Sequence, residues 1–542
     1  MTPRCFLFLL ILLVLRPALG QSDLDLRIQK MSLREKVGQL FMVGFPQDHL
    51  DPTLTNFIKT QKPGGFILFR RNLKDSKHIR DFTSEIDKIA RVHGAIPLLA
   101  VDQEGGSVTR VPLFPSLPSA LSVGLAARED LARDLGEESG RLLKWHGFNI
   151  NLAPVLDLSD PKSESFIGSR SFGSDPILGG KIGRAYAEGL RDAGVIPTGK
   201  HFPGLGGTRI DLHVEAAGFQ STMDEFKSRD LKPFELFAKM GPFSALMVSQ
   251  MSYPFLDPSG MPAPFSRPIL QTLLRQEMGF EGLVITDDLQ MKGSAVAFPA
   301  RDAALQSLKA GADIVMITWS MKDQTRAMRR VEEAVTKGEW SLSELEDRLR
   351  RVLRHKALLV DQSTPFVPPA LAKSPTGLPA TKRLEKIDLE ILDAKLLPYR
   401  RMVDLQDKKV GKVCVLTSEP HFIRSYKDAY RAPMRPLLLT NRSSSPRFIS
   451  SLKSCPLLIF TVNGKRTARV LQLFEEDLRR KTVIVNFGPA GLIPEDPLWR
   501  LRLEIGHPHL HTGHRMAEIT KALMAGRRVA SSQDPQNKKP QP

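Results

Sequence analysis

Fourteen consecutive residues carry an unusual density of groups able to do chemistry. Lys200-His201-Phe202-Pro203-Gly204-Leu205-Gly206-Gly207-Thr208-Arg209-Ile210-Asp211-Leu212-His213 contains a lysine, two histidines, an aspartate, an arginine and three glycines. The stretch neither alternates as a strand does nor repeats at helical spacing, so its pattern predicts a loop. Its glycines let a backbone turn tightly and approach a ligand closely. Titratable groups are costly to bury without a task, and the functional reading is an active-site loop. The bland reading is a solvated polar loop. Other acids and bases cluster elsewhere: Asp102-Gln103-Glu104-Gly105-Gly106 with Arg110, then Asp157, Ile167-Gly168-Ser169-Arg170-Ser171-Phe172-Gly173, Ser249-Gln250-Met251 and Asp287-Asp288.

Something must hold these groups together. Short apolar runs recur at Leu40–Phe45, Gly65–Phe69, Pro97–Asp102, Phe148–Leu152, Gly194–Thr198, Ala245–Ser249, Leu283–Thr286 and Asp313–Ile317. Helix-like segments lie around and between them: Ser22–Val37, Ser76–Val92, Arg128–His146, Gly179–Ala193, Met223–Met240, Pro268–Met278 and Ala300–Ala310. Strand–helix alternation implies parallel pairing with both faces covered. Eight such units fit a closed (β/α)8 barrel, whose chemistry sits on the loops that follow the strands. An open doubly wound sheet is the alternative, weakened by the lack of a dinucleotide glycine fingerprint at the first turn. An aspartate after a strand is often only the N-cap of the next helix. The shared placement of these clusters after strands is what favours a site.

The remaining organisation is coarser. Residues 1–20 read as a secretory signal: Arg4, an apolar run from Phe6 to Leu15, then Ala18-Leu19-Gly20 as a cleavage site. A membrane anchor is the alternative, for which the run is short. The barrel is assigned to residues 21–360. Residues 361–400 form a linker, with five prolines between 361 and 380, and a charged helix from Lys382 to Lys395. Residues 401–530 form a smaller α/β domain, with strands at Lys412–Thr417, Pro436–Thr440, Pro456–Val462 and Thr482–Phe487 and helices at Arg466–Arg480 and Gly513–Ala525. The tail 531–542 has a disordered composition.

Export would make disulfides possible. Of three cysteines, Cys5 lies in the signal, and Cys414 and Cys455 could pair or remain buried thiols. His507, His509, His511 and His514 cluster without acidic or cysteine partners, so no metal site is assigned. The net charge is +18, or +16 once Arg4 and Arg16 leave with the signal. That surplus suits an anionic partner such as a cell envelope, unless it is only a high isoelectric point. Nucleic acid is not expected: there is no binding motif, and only five Tyr and four Trp are available for stacking.

The residues together resemble glycoside hydrolase family 3, in its bacterial β-N-acetylglucosaminidase branch. The resemblance rests on Lys200-His201-Phe202-Pro203-Gly204 with Gly206, on Asp211 with His213, on Ile285-Thr286-Asp287-Asp288-Leu289 with Met291, and on Asp102-Gln103-Glu104-Gly105-Gly106. It is strong from Leu33 to Ile317 and weaker over the second domain, which is similar to the α/β sandwich some members carry. It implies retaining hydrolysis of β-N-acetylglucosaminides, from murein fragments or related glycans, through a covalent glycosyl-enzyme. Asp287 matches the nucleophile, and a carboxylate suits an oxocarbenium-like transition state. Asp288 is the alternative, more suited to orienting the turn. His213 matches the acid/base, with Asp211 holding its tautomer. Asp102, Arg110, Arg170, Lys200 and His201 match sugar-binding positions, where cations can donate charge-assisted bonds to hydroxyls. Their bland reading is an internal salt-bridge network. No cofactor is implied. Two positions depart from the pattern: Leu212 replaces a serine and Gln250 a histidine. They keep open a non-catalytic glycan-binding envelope protein. A β-glucosidase or a phosphorylase are alternatives within the family.

Overall fold

The computed structural model describes residues 21–111, 117–159, 167–206, 218–219, 222–295 and 297–361, helical positions at 387, 390, 391 and 452, and five strands between 413 and 504. Eight parallel strands close into a barrel: β1 (Phe41–Val43), β2 (Gly65–Leu68), β3 (Leu98–Val101), β4 (Ile150–Asn151), β5 (Ile196–Phe202), β6 (Ala245–Val248), β7 (Leu283–Asp288) and β8 (Ile314–Ile317). Around the barrel the order is β1, β8, β7, β6, β5, β4, β3, β2. Closure comes from β1 against β8, with Phe41 opposite Val315 and Val43 opposite Ile317. All eight expected strands are present. Strands such as Leu98–Val101 and Ile314–Ile317 are buried at every position, because side chains fill the interior on one face and meet helices on the other.

The helices are set by local signals. Asp51, Asp75 and Asp175 accept backbone N–H groups at three helix starts, and Pro52 and Pro176 occupy the first helical position. Helices Glu129–Trp145 and Pro176–Asp192 pack so closely that a Cβ on Gly136 would sit 2.0 Å from the Tyr186 carbonyl oxygen. Two expected helices are broken. Ser22–Val37 is two helices, Gln21–Lys30 and Leu33–Gly38, because Ser32 and Glu35 form a capping box that starts a new one. Met223–Met240 begins as Met223–Glu225, widens over Phe226–Asp230 with Leu231 N–H donating to the Phe226 carbonyl, and resumes at Lys232–Ala238.

The last barrel helix, Leu342–Asp361, crosses the end where the strands begin. Lys356, buried, donates to Gln39 Oε1 at 2.6 Å and to the Gly64 carbonyl at 2.7 Å. Burial pushes its ammonium down to about 7. Arg351 and Arg275 both pair at 2.6 Å with buried Asp313, just before β8. These contacts tie the first and last units of the barrel together.

Beyond the barrel, a five-stranded parallel sheet comprises Val413–Thr417, Met434–Leu438, Leu457–Val462, Thr482–Asn486 and Leu501–Glu504. The last of these strands was not expected from the sequence. Ile387 and Ile391, in the charged helix of the linker region, are buried. The signal segment, Cys455, the histidine cluster at 507–514, the two C-terminal helices and the tail lie outside the described residues.

Candidate active site

The stretch expected to be a loop begins as strand. Lys200, His201 and Phe202 belong to β5 and are buried; the strand extends through them. Their polar atoms are satisfied from neighbouring strand ends, which lets charged residues occupy a buried strand without the alternation that marks a half-exposed one. Lys200 Nζ lies 2.7 Å from Asp102 Oδ1 and 2.7 Å from Glu104 Oε1. Glu104 in turn receives Arg170 twice, at 2.7 Å from Nε and 2.9 Å from Nη2. The ends of β3, β4 and β5 thus hold an alternating network of two acids and two bases. The salt-bridge reading of Lys200 and Arg170 is therefore realised, and Asp102 and Arg170 remain partly open toward solvent.

Burial works against the ionised form of Glu104, but Lys200 and Arg170 outweigh it and hold its carboxyl at about 2. Burial likewise disfavours the Lys200 ammonium, and Asp102 and Glu104 reverse that, raising it above its ordinary value. Both groups stay charged at neutral pH. His201 is fixed differently. Its Nδ1 lies 2.6 Å from Asp157 Oδ2, which also accepts the His201 backbone N–H at 3.1 Å. The second oxygen of Asp157 accepts the Leu205 N–H at 3.0 Å. Asp157 thus sets the imidazole orientation and the path of the chain toward Gly206.

Arg110 follows a two-stranded hairpin, Gln103–Gly105 with Val108–Thr109. Its N–H donates to Gln103 Oε1 at 3.0 Å, and its buried Nε meets no partner within the described structure.

Asp287, next to last in β7, lies on the same rim as Asp102, which follows β3, and Lys200 near the end of β5. It is half-buried, and its Oδ1 accepts the Asp288 N–H at 2.8 Å. Asp288 is the more buried of the pair. It accepts from the Thr318 hydroxyl and, at 3.0 Å, from the Gln290 N–H, and burial pushes its carboxyl up to about 6. That is the turn-orienting position expected for it. Gln250 is enclosed here: its amide donates to the Asp288 carbonyl at 3.4 Å, and the Ser294 hydroxyl donates to its side-chain oxygen. The residue that departs from the expected histidine therefore braces the turn carrying Asp287. Asp211, Leu212 and His213 lie outside the described residues.

Sequence reasoning did not single out Glu104 or assign Asp157 a role. Glu104 was legible as the second acid of its motif. Asp157 carried no local signal beyond following β4. Among the described residues no group of three or more His, Cys, Asp or Glu side chains is placed to hold a metal, and no helix is long and apolar enough to cross a membrane.

A closed (β/α)8 barrel with acids and bases gathered where its strands end is the arrangement in which barrel enzymes carry their active sites. Residues 32–355 match the glycosyl hydrolase family 3 N-terminal domain, and the chain belongs to that family. A β-hexosaminidase from Thiobacillus denitrificans is 39% identical over 262 residues, covering 47% of this chain and 71% of the relative. A β-hexosaminidase A from Pseudoalteromonas piscicida is 29% identical over 359 residues, and the match spans 62% of this chain but only 60% of that relative. A family 3 β-N-acetylglucosaminidase from a Paenibacillus species superposes with a TM-score of 0.76 at 22% identity, covering 92% of this chain and 98% of the other, a likeness of fold. A family 3 glycosyl hydrolase from Mycobacterium smegmatis is 31% identical with a TM-score of 0.53, covering 61% and 97%.

Proposed function

We propose that the protein is a retaining β-N-acetylhexosaminidase that removes terminal β-N-acetylglucosamine from murein fragments or related glycans. The observation that carries this reading is the shared rim: Asp287 stands at the end of β7, on the same end of the barrel as the Asp102–Lys200–Glu104–Arg170 network. Similarity to the Thiobacillus β-hexosaminidase supports the choice of sugar.

In this reading Asp102, Lys200, Arg170, Arg110 and His201 hold the hydroxyls of the terminal sugar. Asp287 attacks the anomeric carbon and forms a glycosyl-enzyme ester as the bond to the leaving oxygen breaks. His213, oriented by Asp211, gives that oxygen its proton. It then takes a proton from water, whose oxygen attacks the anomeric carbon and frees Asp287. The signal-like residues 1–20 support export to the periplasm or beyond, and the net charge of +18 supports association with an anionic envelope.

The test is release of chromophore from an aryl β-N-acetylglucosaminide. Asp287→Asn should lower kcat by about a thousandfold or more, as for loss of a covalent nucleophile. A loss under about tenfold would remove Asp287 from that role. Running the assay with added phosphate and finding no sugar 1-phosphate separates hydrolysis from phosphorolysis.

A further inference from the structure

The rim carries a second feature that the proposed chemistry does not use. Trp319, immediately after β8 and Thr318, is 66% exposed, far more than a large aromatic ring ordinarily is. It is not loosely held. Its backbone N–H donates to Gln290 Oε1 at 2.9 Å, and Thr318 beside it donates to Asp288. The indole stacks near Phe69, with centroids 6.3 Å apart and planes 19° from parallel. The Arg71 guanidinium lies 4.5 Å from the Phe69 ring centre and 4.7 Å from that of Trp319. Arg71 itself is anchored by its Nε to the Phe45 carbonyl at 3.3 Å, and Asn72 donates to the same oxygen at 3.0 Å. A planar apolar surface is thus fixed in place, backed by a cation and largely open to water.

Its position around the barrel says what it meets. Going round from β7, the strands are β8, β1, β2 and then β3. The platform is built from the ends of β8, β1 and β2. It fills the arc between Asp287 on β7 and Asp102 after β3, across the barrel from Lys200 on β5. The buried polar network belongs to the β3–β5 arc and suits hydroxyl groups. The exposed aromatic face suits the apolar face of a ring that stays near water. We propose that Trp319, held by Phe69 and Arg71, is the stacking floor for the sugar on the leaving side of the scissile bond, making it a specificity-determining residue for oligosaccharide over simple glycosides.

This rests on the glycosidase reading, so the test separates the two. Wild type, Trp319→Ala and Trp319→Phe are assayed on N,N′-diacetylchitobiose and on β-N-acetylglucosaminyl fluoride, whose leaving group is too small to stack. Burying about 50 Å² of sugar surface on the indole corresponds to roughly tenfold in binding. The ratio of kcat/KM for the disaccharide over the fluoride should fall about tenfold in Trp319→Ala, mostly through KM, and recover in Trp319→Phe. An unchanged ratio, or an equal loss on both substrates, overturns the platform. Titration with chitobiose while following tryptophan emission gives a readout independent of turnover: a change present in wild type and missing in Trp319→Phe supports stacking, and an identical change in both opposes it. Wild-type protein that binds chitobiose through Trp319 but hydrolyses neither substrate would sink the enzyme reading and leave the platform standing.

Discussion

Glu104 is the hinge of the buried charge network, and replacing it by glutamine tests the electrostatic account. Glu104 is 3% exposed at its side chain and touches both Lys200 and Arg170. Its carboxyl sits at about 2 against an ordinary 4.5, so the fold favours the ionised form by about 3 kcal/mol. The neutral amide forfeits that and leaves Arg170 without its carboxylate and Lys200 with Asp102 alone. Breaking a buried pair from one side typically costs about 3–5 kcal/mol, in agreement. Urea unfolding of Glu104→Gln at pH 7 should therefore show a loss of about 3 kcal/mol. The sign with pH follows from the direction of the shift. A carboxylate whose folded value is depressed contributes fully above its unfolded value of 4.5 and loses that contribution as pH falls toward about 2. The gap between wild type and variant should accordingly shrink across that window. A variant within about 1 kcal/mol of wild type at pH 7, or a gap that persists unchanged to the acid end, would refute the argument.

Other expectations are simpler. Asp288→Asn removes a carboxyl whose folded value is raised to about 6. That wild-type contribution is present below the unfolded value and lost as pH rises through about 6, so wild-type stability should decline by up to roughly 3 kcal/mol across pH 4 to 7 while the variant stays flatter, as pH-dependent unfolding would reveal. Asp157→Asn leaves one acceptor oxygen where three N–H groups now converge; a loss of about 2 kcal/mol in unfolding is expected, with a larger fall in kcat/KM because His201 loses its orientation. A normal kcat/KM in that variant would remove His201 from the site. Tyr253→Phe breaks the 2.7 Å bond from the buried phenol to the Gly204 carbonyl; it should cost about 1 kcal/mol and raise KM more than it lowers kcat.

The barrel was legible because its strands are short aliphatic runs and their order around a closed sheet follows from right-handed strand–helix repetition. Ala300–Ala310 coincided to the residue, since its boundaries are a proline before and a glycine after. Helices failed where a polar residue inside the amphipathic pattern acted as a cap, as Ser32 did, or where a wider turn intervened, as at Phe226–Asp230. Lys200 and His201 looked like loop residues because a one-dimensional pattern cannot show that Asp102, Glu104 and Asp157 wait beside them. Pairings across about a hundred residues of chain leave no periodic trace. The same holds for Trp319, whose exposure depends on β1 and β2 lying next to β8.

Phe41 pairs with Val315, and Lys356 reaches the backbone ahead of β2. During synthesis, then, the first strand must wait for the last. An unpaired, apolar β1 edge stays available for nearly the whole translation of the barrel, open to wrong partners, and is covered only when Ile314–Ile317 arrives. Truncations placed just short of β8 should yield aggregated chains rather than smaller working barrels.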